Sequence, residues 1–190
     1  GPKGLRGRTA TDIEGVWGGQ KWVPEHPDER VWLERMGAKG WTAPTWPTEY
    51  GGGGLSKEEA KVLAEEMRVL RLPQALVGFG LTMIGPTLLR FGNEEQKQTY
   101  LTKLISGEWT GTMCLTEPHC GTDLKLMRTN AVEQEDGTYR LNGTKIFISG
   151  GDHDMTDNIV HMVNAKIPDE DGKLANDLST VNFFMVPKFI

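Results

Sequence analysis

Apolar residues follow two different spacings along the chain, and the spacing changes near residue 107. Before that position they recur every three or four residues, which predicts helices, and after it they alternate, which predicts strands. The segment “PDERVWLERMG”, Pro27 to Gly37, is a candidate helix with Trp32, Leu33 and Met36 along one side. The first half of the chain is therefore expected to be helical.

Two more predicted helices carry capping residues at their starts. Ser56 and Glu59 predict a capping box at the start of “LSKEEAKVLAEEMRVLRLP”, and Asn93 and Gln96 predict another before “EEQKQTYLTKLI”. Gly107 should end the second of these helices. The stretch “ALVGFGLTMIGPTLLRFG” between them contains too few polar residues for a surface helix and is expected to be buried. A bundle of roughly three to five helices is the simplest arrangement.

The second half contains several runs with strand periodicity: “EWTGTMCLT”, “TYRLNGTKIFIS”, “NIVHMV” and “VNFFMVP”. Asn142-Gly143 lies inside the second run and is the best short-range hairpin signal in the chain, and Asp136-Gly137 marks another turn. These runs predict an antiparallel sheet of about five strands.

The pattern as a whole predicts an α+β fold with two domains. An N-terminal helical bundle is expected over residues 3–107, followed by an antiparallel β domain over residues 108–190. The opening Gly1-Pro2 resembles a protease-cleavage scar and is not expected to belong to the fold. The last residues form an apolar strand-like run up to Ile190, so the β domain is expected to be incomplete, since its edge would be left unpaired.

Composition argues against several classes of protein. The chain has 37% hydrophobic and 25% charged residues, a net charge of −5 and no stripe of Lys or Arg, which argues against a nucleic-acid partner. It contains no apolar run of the roughly 18 residues that a membrane span needs, and no secretory leader. The two cysteines, Cys114 and Cys120, suit a reducing compartment, so a cytoplasmic location is expected.

Candidate chemistry concentrates in “LTEPHCGTDL”, Leu115 to Leu124. A catalytic thiol, a metal site or a cradle for a phosphorylated cofactor would all use these residue types, and so would a plain surface turn. Adjacent His119 and Cys120 need not face each other and have no evident third partner, so they are not predicted to form a nucleophilic pair. Together with His153 and His161 they lack the spacing of metal motifs, so no metal site is predicted.

Four motifs resemble the acyl-CoA dehydrogenases in order and spacing: “WPTEYGGGG”, “FGNEEQKQTYLTKLISGEW”, “MCLTEPHCGTDL” and “LNGTKIFISGG”. The resemblance covers nearly the whole chain. It implies an N-terminal helical domain and a middle β domain, with FAD bound where they meet a C-terminal helical bundle that this chain would lack. The second half is most similar to the 3-methylmercaptopropionyl-CoA dehydrogenase branch, whereas “WTAPTWPTEYGGGGLS” resembles another bacterial branch, which leaves an engineered or recombined sequence open.

The resemblance assigns flavin contacts to the turn that contains “TEPHCGTD”. The Leu115 backbone and the Thr116 hydroxyl would lie at the pyrimidine end of the flavin. Gly121 and Thr122 would lie near the pyrophosphate, where a glycine permits close approach of the backbone and a threonine adds a donor. The turn is therefore expected to be a cofactor cradle.

The resemblance assigns two more contacts to the hairpin predicted around Asn142-Gly143. Phe147 and Ser149 are two residues apart and would share one face of a strand, with the aromatic ring against the flavin and the hydroxyl near N5. Phe147 by itself would more often be a core residue. The complete predicted cofactor-binding set is Met113, Leu115, Thr116, Gly121, Thr122, Phe147 and Ser149.

The activity that the resemblance implies is α,β-dehydrogenation of an acyl-CoA thioester, with hydride transfer to FAD and a separate electron acceptor. The family's base belongs to the C-terminal bundle, so no catalytic residue is assigned and the chain alone is expected to be inactive. Glu117 and Asp123 are interpreted as turn and hydrogen-bonding residues. The family also implies a homo-oligomer. The alternatives are a noncatalytic FAD- or partner-binding module, an acyl-CoA oxidase and a flavin monooxygenase.

Overall fold

The structure is a computed structural model that describes residues 16–17, 19, 21–24 and 26–190. Gly1 and Pro2 lie outside the described residues. The helices are α1 (Pro27–Gly37), α2 (Lys57–Val69), α3 (Gly85–Phe91) and α4 (Glu94–Ser106), and the strands are β1 (Val16–Trp17), β2 (Leu76–Val77), β3 (Trp109–Cys114), β4 (Asn130–Glu133), β5 (Tyr139–Asn142), β6 (Asn158–Lys166) and β7 (Val181–Pro187).

Contacts divide the chain into two compact units. The first comprises residues up to 111 together with 152–159, and the second comprises 112–151 together with 160–190. None of the helices in the described ranges is long and apolar enough to cross a bilayer.

Helix α1 has the predicted bounds and buries the predicted side. The His26 ring accepts a hydrogen bond from the Asp28 backbone at 3.1 Å, which satisfies one of the free donors at the start of the helix. Trp32 donates its indole N–H to the Pro73 carbonyl at 3.0 Å. The apolar core around this helix consists of Trp32, Leu33, Met36, Ala75 and Leu76.

Both predicted capping boxes are present. The Ser56 hydroxyl accepts from the Glu59 backbone at 3.2 Å, and the Glu59 carboxylate accepts from the Ser56 backbone at 2.8 Å. Asn93 and Gln96 make the same reciprocal pair, at 2.8 and 3.0 Å. Gly107 ends α4 in the left-handed conformation, with φ of 76°, which glycine adopts without steric cost.

The apolar stretch between α2 and α4 is buried on one side only. Ile84 and Leu88 are buried, whereas Met83 and Phe91 are exposed by 43% and 74%. The stretch is also broken into elements that the apolar pattern did not predict, namely β2 and a π-helical turn at Gly80–Ile84, before α3 begins. β2 pairs in parallel with β1, and these strands of two residues each are too short to show a period of two.

The larger sheet confirms the α+β class but corrects the prediction that its strands are all antiparallel. Its strands follow the order β3-β6-β4-β5, and β7 also pairs with β6. The pairs β4–β5 and β6–β7 are antiparallel. β4 and β6 pair in parallel at Asn130 and Lys166, so the sheet is mixed. Alternation along each strand fixes which side chains share a face and does not fix the direction of its neighbour.

The hairpin predicted at Asn142-Gly143 is wrong. The tight turn of this region is at Asp136-Gly137, between β4 and β5, where Gly137 has a φ of 78°. β5 ends at Asn142, and residues 143–148 are irregular. The competing contacts are local, because the Ile146 backbone N–H donates to the Thr116 carbonyl at 2.9 Å instead of pairing with β5.

Candidate functional site

The segment after β3 is a tight turn closed by its own backbone. The Glu117 N–H donates to the Cys120 carbonyl at 2.8 Å, and the Cys120 N–H donates to the Glu117 carbonyl at 3.1 Å. Such reciprocal bonds satisfy backbone groups that would otherwise be orphaned where the strand ends. The four residues from Glu117 to Cys120 therefore have a fixed backbone.

Glu117 is the centre of the polar contacts around this turn, in the second unit. Its side chain is only 2% exposed, and its two oxygens accept from the backbone N–H groups of Arg128 at 2.8 Å and Thr129 at 3.0 Å. The Lys145 ammonium donates to the same carboxylate at 2.9 Å and to the Leu115 carbonyl at 3.0 Å. A single buried carboxylate thus joins the turn, the start of β4 and the segment after β5.

The protonation state of Glu117 follows from these contacts. Burial by itself would raise the pKa of Glu117, but hydrogen bonds from Thr129, the Arg128 backbone and Lys145 together outweigh it and lower the pKa to about 2. Glu117 is therefore an anion at neutral pH with almost no affinity for a proton. It is unsuited to general-base catalysis, which needs a pKa nearer the working pH.

Phe147 and Ser149 do not lie on a strand, so the argument that they share a strand face is wrong. Both residues are exposed, and Phe147 as a whole is 88% exposed. The Phe147 backbone has a φ of 59°, a left-handed conformation that is strained for an aromatic residue. The hydrogen bond from Ile146 to Thr116 and the two contacts of Lys145 with Glu117 and Leu115 link this segment to the turn.

The structure brings together only part of the predicted cofactor-binding set. Thr116 is its best-connected member, since its carbonyl accepts from Ile146 and its methyl group would lie 3.4 Å from a Cβ placed on Gly121. In the described part of the chain no hydrogen bond joins Met113, Thr122 or Ser149 to the rest of the set. Three members are half-buried, Met113, Leu115 and Thr116, and four are exposed, Gly121, Thr122, Phe147 and Ser149.

Lys145 is a residue of the site that no sequence motif indicates. Its side chain is 9% exposed, and it contacts the turn twice. The available clue was a cation inside the apolar run “TKIFIS”, because a lysine is almost never buried without a partner. Glu117 was interpreted as a turn and hydrogen-bonding residue, which its contacts bear out.

The histidine and cysteine residues fall into separate clusters. His161 lies 2.7 Å from the Thr112 hydroxyl, and burial raises the pKa of the nearby Cys114 thiol. His153 contacts Thr110 in the first unit at 3.2 Å. Within the residues that the structure describes, a single group could hold a metal ion, with ligand atoms that lie within 4.8 Å of one another: Glu117, His119 and Cys120.

Comparison with known families identifies the class of protein. Residues 16–108 match the N-terminal domain of acyl-CoA dehydrogenases, and residues 112–188 match the middle domain. The chain belongs to the acyl-CoA dehydrogenase family.

Individual relatives agree with this assignment. The chain is 40% identical over 151 residues to 3-methylmercaptopropionyl-CoA dehydrogenase of Ruegeria pomeroyi. The aligned region covers 80% of this chain and 25% of that protein, and it confirms the predicted similarity to this branch. The acyl-CoA dehydrogenase of Geobacillus kaustophilus superposes with a TM-score of 0.62 at 29% identity, over 89% of this chain and 41% of that one.

A further solved structure carries the cofactor. The acyl-CoA dehydrogenase of Bacillus anthracis complexed with FAD superposes with a TM-score of 0.54 at 32% identity, over 87% of this chain and 26% of that one. The present chain spans less than half the length of each of these three relatives.

Proposed function

We propose that this chain is the flavin-binding portion of an acyl-CoA dehydrogenase, with a helical domain over residues 3–107 and a β domain over residues 108–190. The whole protein would oxidise the α,β bond of an acyl-CoA thioester and pass electrons to a separate acceptor. The observation that carries the proposal is the fixed turn after β3, which is flanked by Thr116 and Gly121 and is hydrogen-bonded through Thr116 to the segment that carries the exposed Phe147. Family membership and the FAD-bound relative from Bacillus anthracis support it.

The side chains of the second unit fit a flavin. Phe147 is 88% exposed on a strained backbone, and a planar aromatic ligand would remove its apolar surface from water. Exposed Thr122 and Ser149 offer hydroxyl groups, and Gly121 has no side chain to keep a phosphate away. These are the chemical groups that hold a ring system and a pyrophosphate.

The proposed roles divide along the cofactor. The Leu115 backbone and the Thr116 hydroxyl hold the pyrimidine end, and Met113 lies beside them on β3. Gly121 and Thr122 hold the pyrophosphate. The ring of Phe147 covers one face of the flavin, and the Ser149 hydroxyl lies near N5. FAD, when bound, supplies the hydride acceptor.

The proposal leaves the proton transfer to a group outside these residues. Removal of a proton α to a thioester needs a positioned base, and the depressed pKa of Glu117 makes that carboxylate too weak. We therefore propose that the chain alone is inactive and that the complete protein is a homo-oligomer that binds acyl-CoA. The two free cysteines are consistent with a cytoplasmic location.

The proposal is tested by titrating the purified chain with FAD and following flavin absorption and fluorescence. Saturable binding is expected. Thr116→Val and Ser149→Ala should each weaken binding by roughly 5- to 150-fold, because a buried polar contact is worth about 1–3 kcal/mol. Thr102→Val, on α4, is the matched control and should bind FAD as the wild type does. Absence of binding, or equal affinity in all four proteins, would contradict the proposed site.

A further inference from the structure

Glu117, His119 and Cys120 bring three different metal-ligand groups together on one turn. One carboxylate oxygen, one imidazole nitrogen and one sulfur lie within 4.8 Å of one another. The reciprocal backbone bonds between Glu117 and Cys120 hold the residues that carry these groups. The ligands are therefore arranged before any ion arrives, which lowers the cost of binding.

The distance between two of the ligand atoms already suits a metal. His119 Nε2 lies 3.5 Å from Glu117 Oε2, which is longer than a good hydrogen bond. Zinc bonds of about 2.0–2.1 Å to nitrogen and oxygen, at a tetrahedral angle, place the two ligand atoms about 3.4 Å apart. An ion can bridge these two atoms with little movement of either residue.

Glu117 retains capacity for such a bond. A carboxylate accepts about four contacts, and three short ones are occupied by Arg128, Thr129 and Lys145. Lys145 and Thr129 both contact Oε1, so Oε2 has room for one further partner on the side of His119. Hydrogen bonds of this kind to a ligating carboxylate orient it and are typical of metal sites.

The charges and the donor types select the ion. A carboxylate and a thiolate together carry two negative charges, and the neighbouring Lys145 offsets only one of them. Thiolate and imidazole ligands favour zinc and similar divalent transition metals over magnesium and calcium, which prefer oxygen. Binding at His119 Nε2 would replace its 2.9 Å hydrogen bond to the Leu126 carbonyl, a loss of about 1 kcal/mol.

We propose that Glu117, His119 and Cys120 form a three-ligand site for a zinc-type divalent transition metal, with a fourth position open to water. The sequence did not indicate this set, because the metal ligands considered with His119 and Cys120 were His153 and His161 and not Glu117. The metal site shares the turn after β3 with the proposed flavin site, but it rests on the side chains of Glu117, His119 and Cys120, which the flavin proposal does not use.

Cobalt titration of the reduced, metal-free chain tests the site. One Co²⁺ per chain should bind and produce the thiolate-to-cobalt charge-transfer band that marks cysteine ligation, and Zn²⁺ should abolish that band by displacement. Cys120→Ser should lose the charge-transfer band. His119→Ala should bind at least tenfold more weakly, since even the loss of an outer hydrogen-bonding partner costs about 10- to 100-fold.

Two matched variants control for nonspecific effects. Cys114→Ala removes the other cysteine, and His26→Asn replaces a histidine while retaining a cap for α1, and both should bind cobalt as the wild type does. Circular dichroism of every variant checks that it is folded. His119 is partly exposed and Cys120→Ser is nearly isosteric, so both are expected to fold. Absence of a charge-transfer band in the folded wild type would overturn the proposal, as would an unchanged band in Cys120→Ser.

Discussion

The Lys145 ammonium lies 2.9 Å from the Glu117 carboxylate, and both side chains are at least nine-tenths buried. Each ion is expensive to remove from water, and each is compensated by the other and by backbone groups. The pair connects the turn after β3 to the segment that follows β5. It is therefore the contact on which the geometry of the candidate site depends most.

Removal of either ion should destabilise the protein strongly. Glu117→Gln leaves Lys145 without its counter-ion, and Lys145→Met leaves the carboxylate without its cation, so we expect each to lower the free energy of unfolding by about 3–5 kcal/mol. Urea unfolding followed by circular dichroism measures this. Lys21→Met is the control, because the Lys21–Asp157 pair is about half exposed and should be worth less than about 1 kcal/mol. Equal losses in Lys21→Met and Lys145→Met would contradict the assignment.

Acid should remove the contribution of Glu117 to the free energy of unfolding over a defined range of pH. Its pKa is lowered from 4.5 in the unfolded chain to about 2 in the folded protein, so folding favours the ionised form. The stabilisation is complete above pH 4.5, falls as the pH drops through that value and is lost near pH 2. The total is about 3 kcal/mol.

The measurement is the free energy of unfolding at several pH values between 2 and 6 for the wild type and Glu117→Gln. The difference between the two proteins should shrink as the pH falls. Glu66→Gln, which alters an exposed carboxylate on α2, controls for the general effect of acid. A constant difference across this range would show that the Glu117 carboxylate titrates normally in the folded state.

The left-handed backbone at Phe147 predicts that its glycine and alanine variants differ in stability, although both lose affinity for FAD. Glycine adopts a φ of 59° freely, whereas alanine retains the strain, so Phe147→Gly should be about 1 kcal/mol more stable than Phe147→Ala. The exposed ring contributes little to folding, so both variants should remain folded. Both should bind FAD more weakly, because both lack the ring. Equal stability of the two variants would argue against backbone strain.

Two glycines of the first unit should respond in opposite directions to the same substitution. A Cβ on Gly85 would lie 1.7 Å from the buried Trp46 ring, so Gly85→Ala should lower the free energy of unfolding by about 1–3 kcal/mol. Nothing lies within 4 Å of a Cβ on Gly37, in the last turn of α1. Gly37→Ala should therefore raise the free energy of unfolding by up to about 1 kcal/mol, because alanine has the higher helix propensity. Thermal unfolding of the two variants checks the contrast.

Local signals were sufficient for α1, α2 and α4, and they were not sufficient for the stretch around α3 or for the sheet. The capping box at Ser56 and Glu59 lies within four residues, so sequence alone predicts it correctly. The strand that was expected after Asn142-Gly143 is absent because Ile146 bonds to Thr116, thirty residues away along the chain. Contacts at that separation leave no periodic pattern, and for the same reason the partner of Lys145 could not be predicted.

The strongest functional prediction is that this chain alone does not dehydrogenate acyl-CoA. The reaction needs a base within hydrogen-bond reach of the α proton, and an effective base has a pKa near the working pH. Glu117, the buried acid of the candidate site, has a pKa of about 2. A flavin held only by these residues would also be open to water, where fixed dipoles stabilise a developing charge less well.

The test is an assay of the purified chain with FAD, an artificial electron acceptor and a panel of acyl-CoA thioesters that includes the methylthio-propionyl thioester. No turnover above a protein-free control is expected, although FAD binds. Absence of FAD binding in the same sample would point instead to a failure of the flavin site. Sustained turnover would refute the prediction, and it would mean that an acid within these 190 residues serves as the base. Replacement of Asp123 and Glu117 in turn would then identify it.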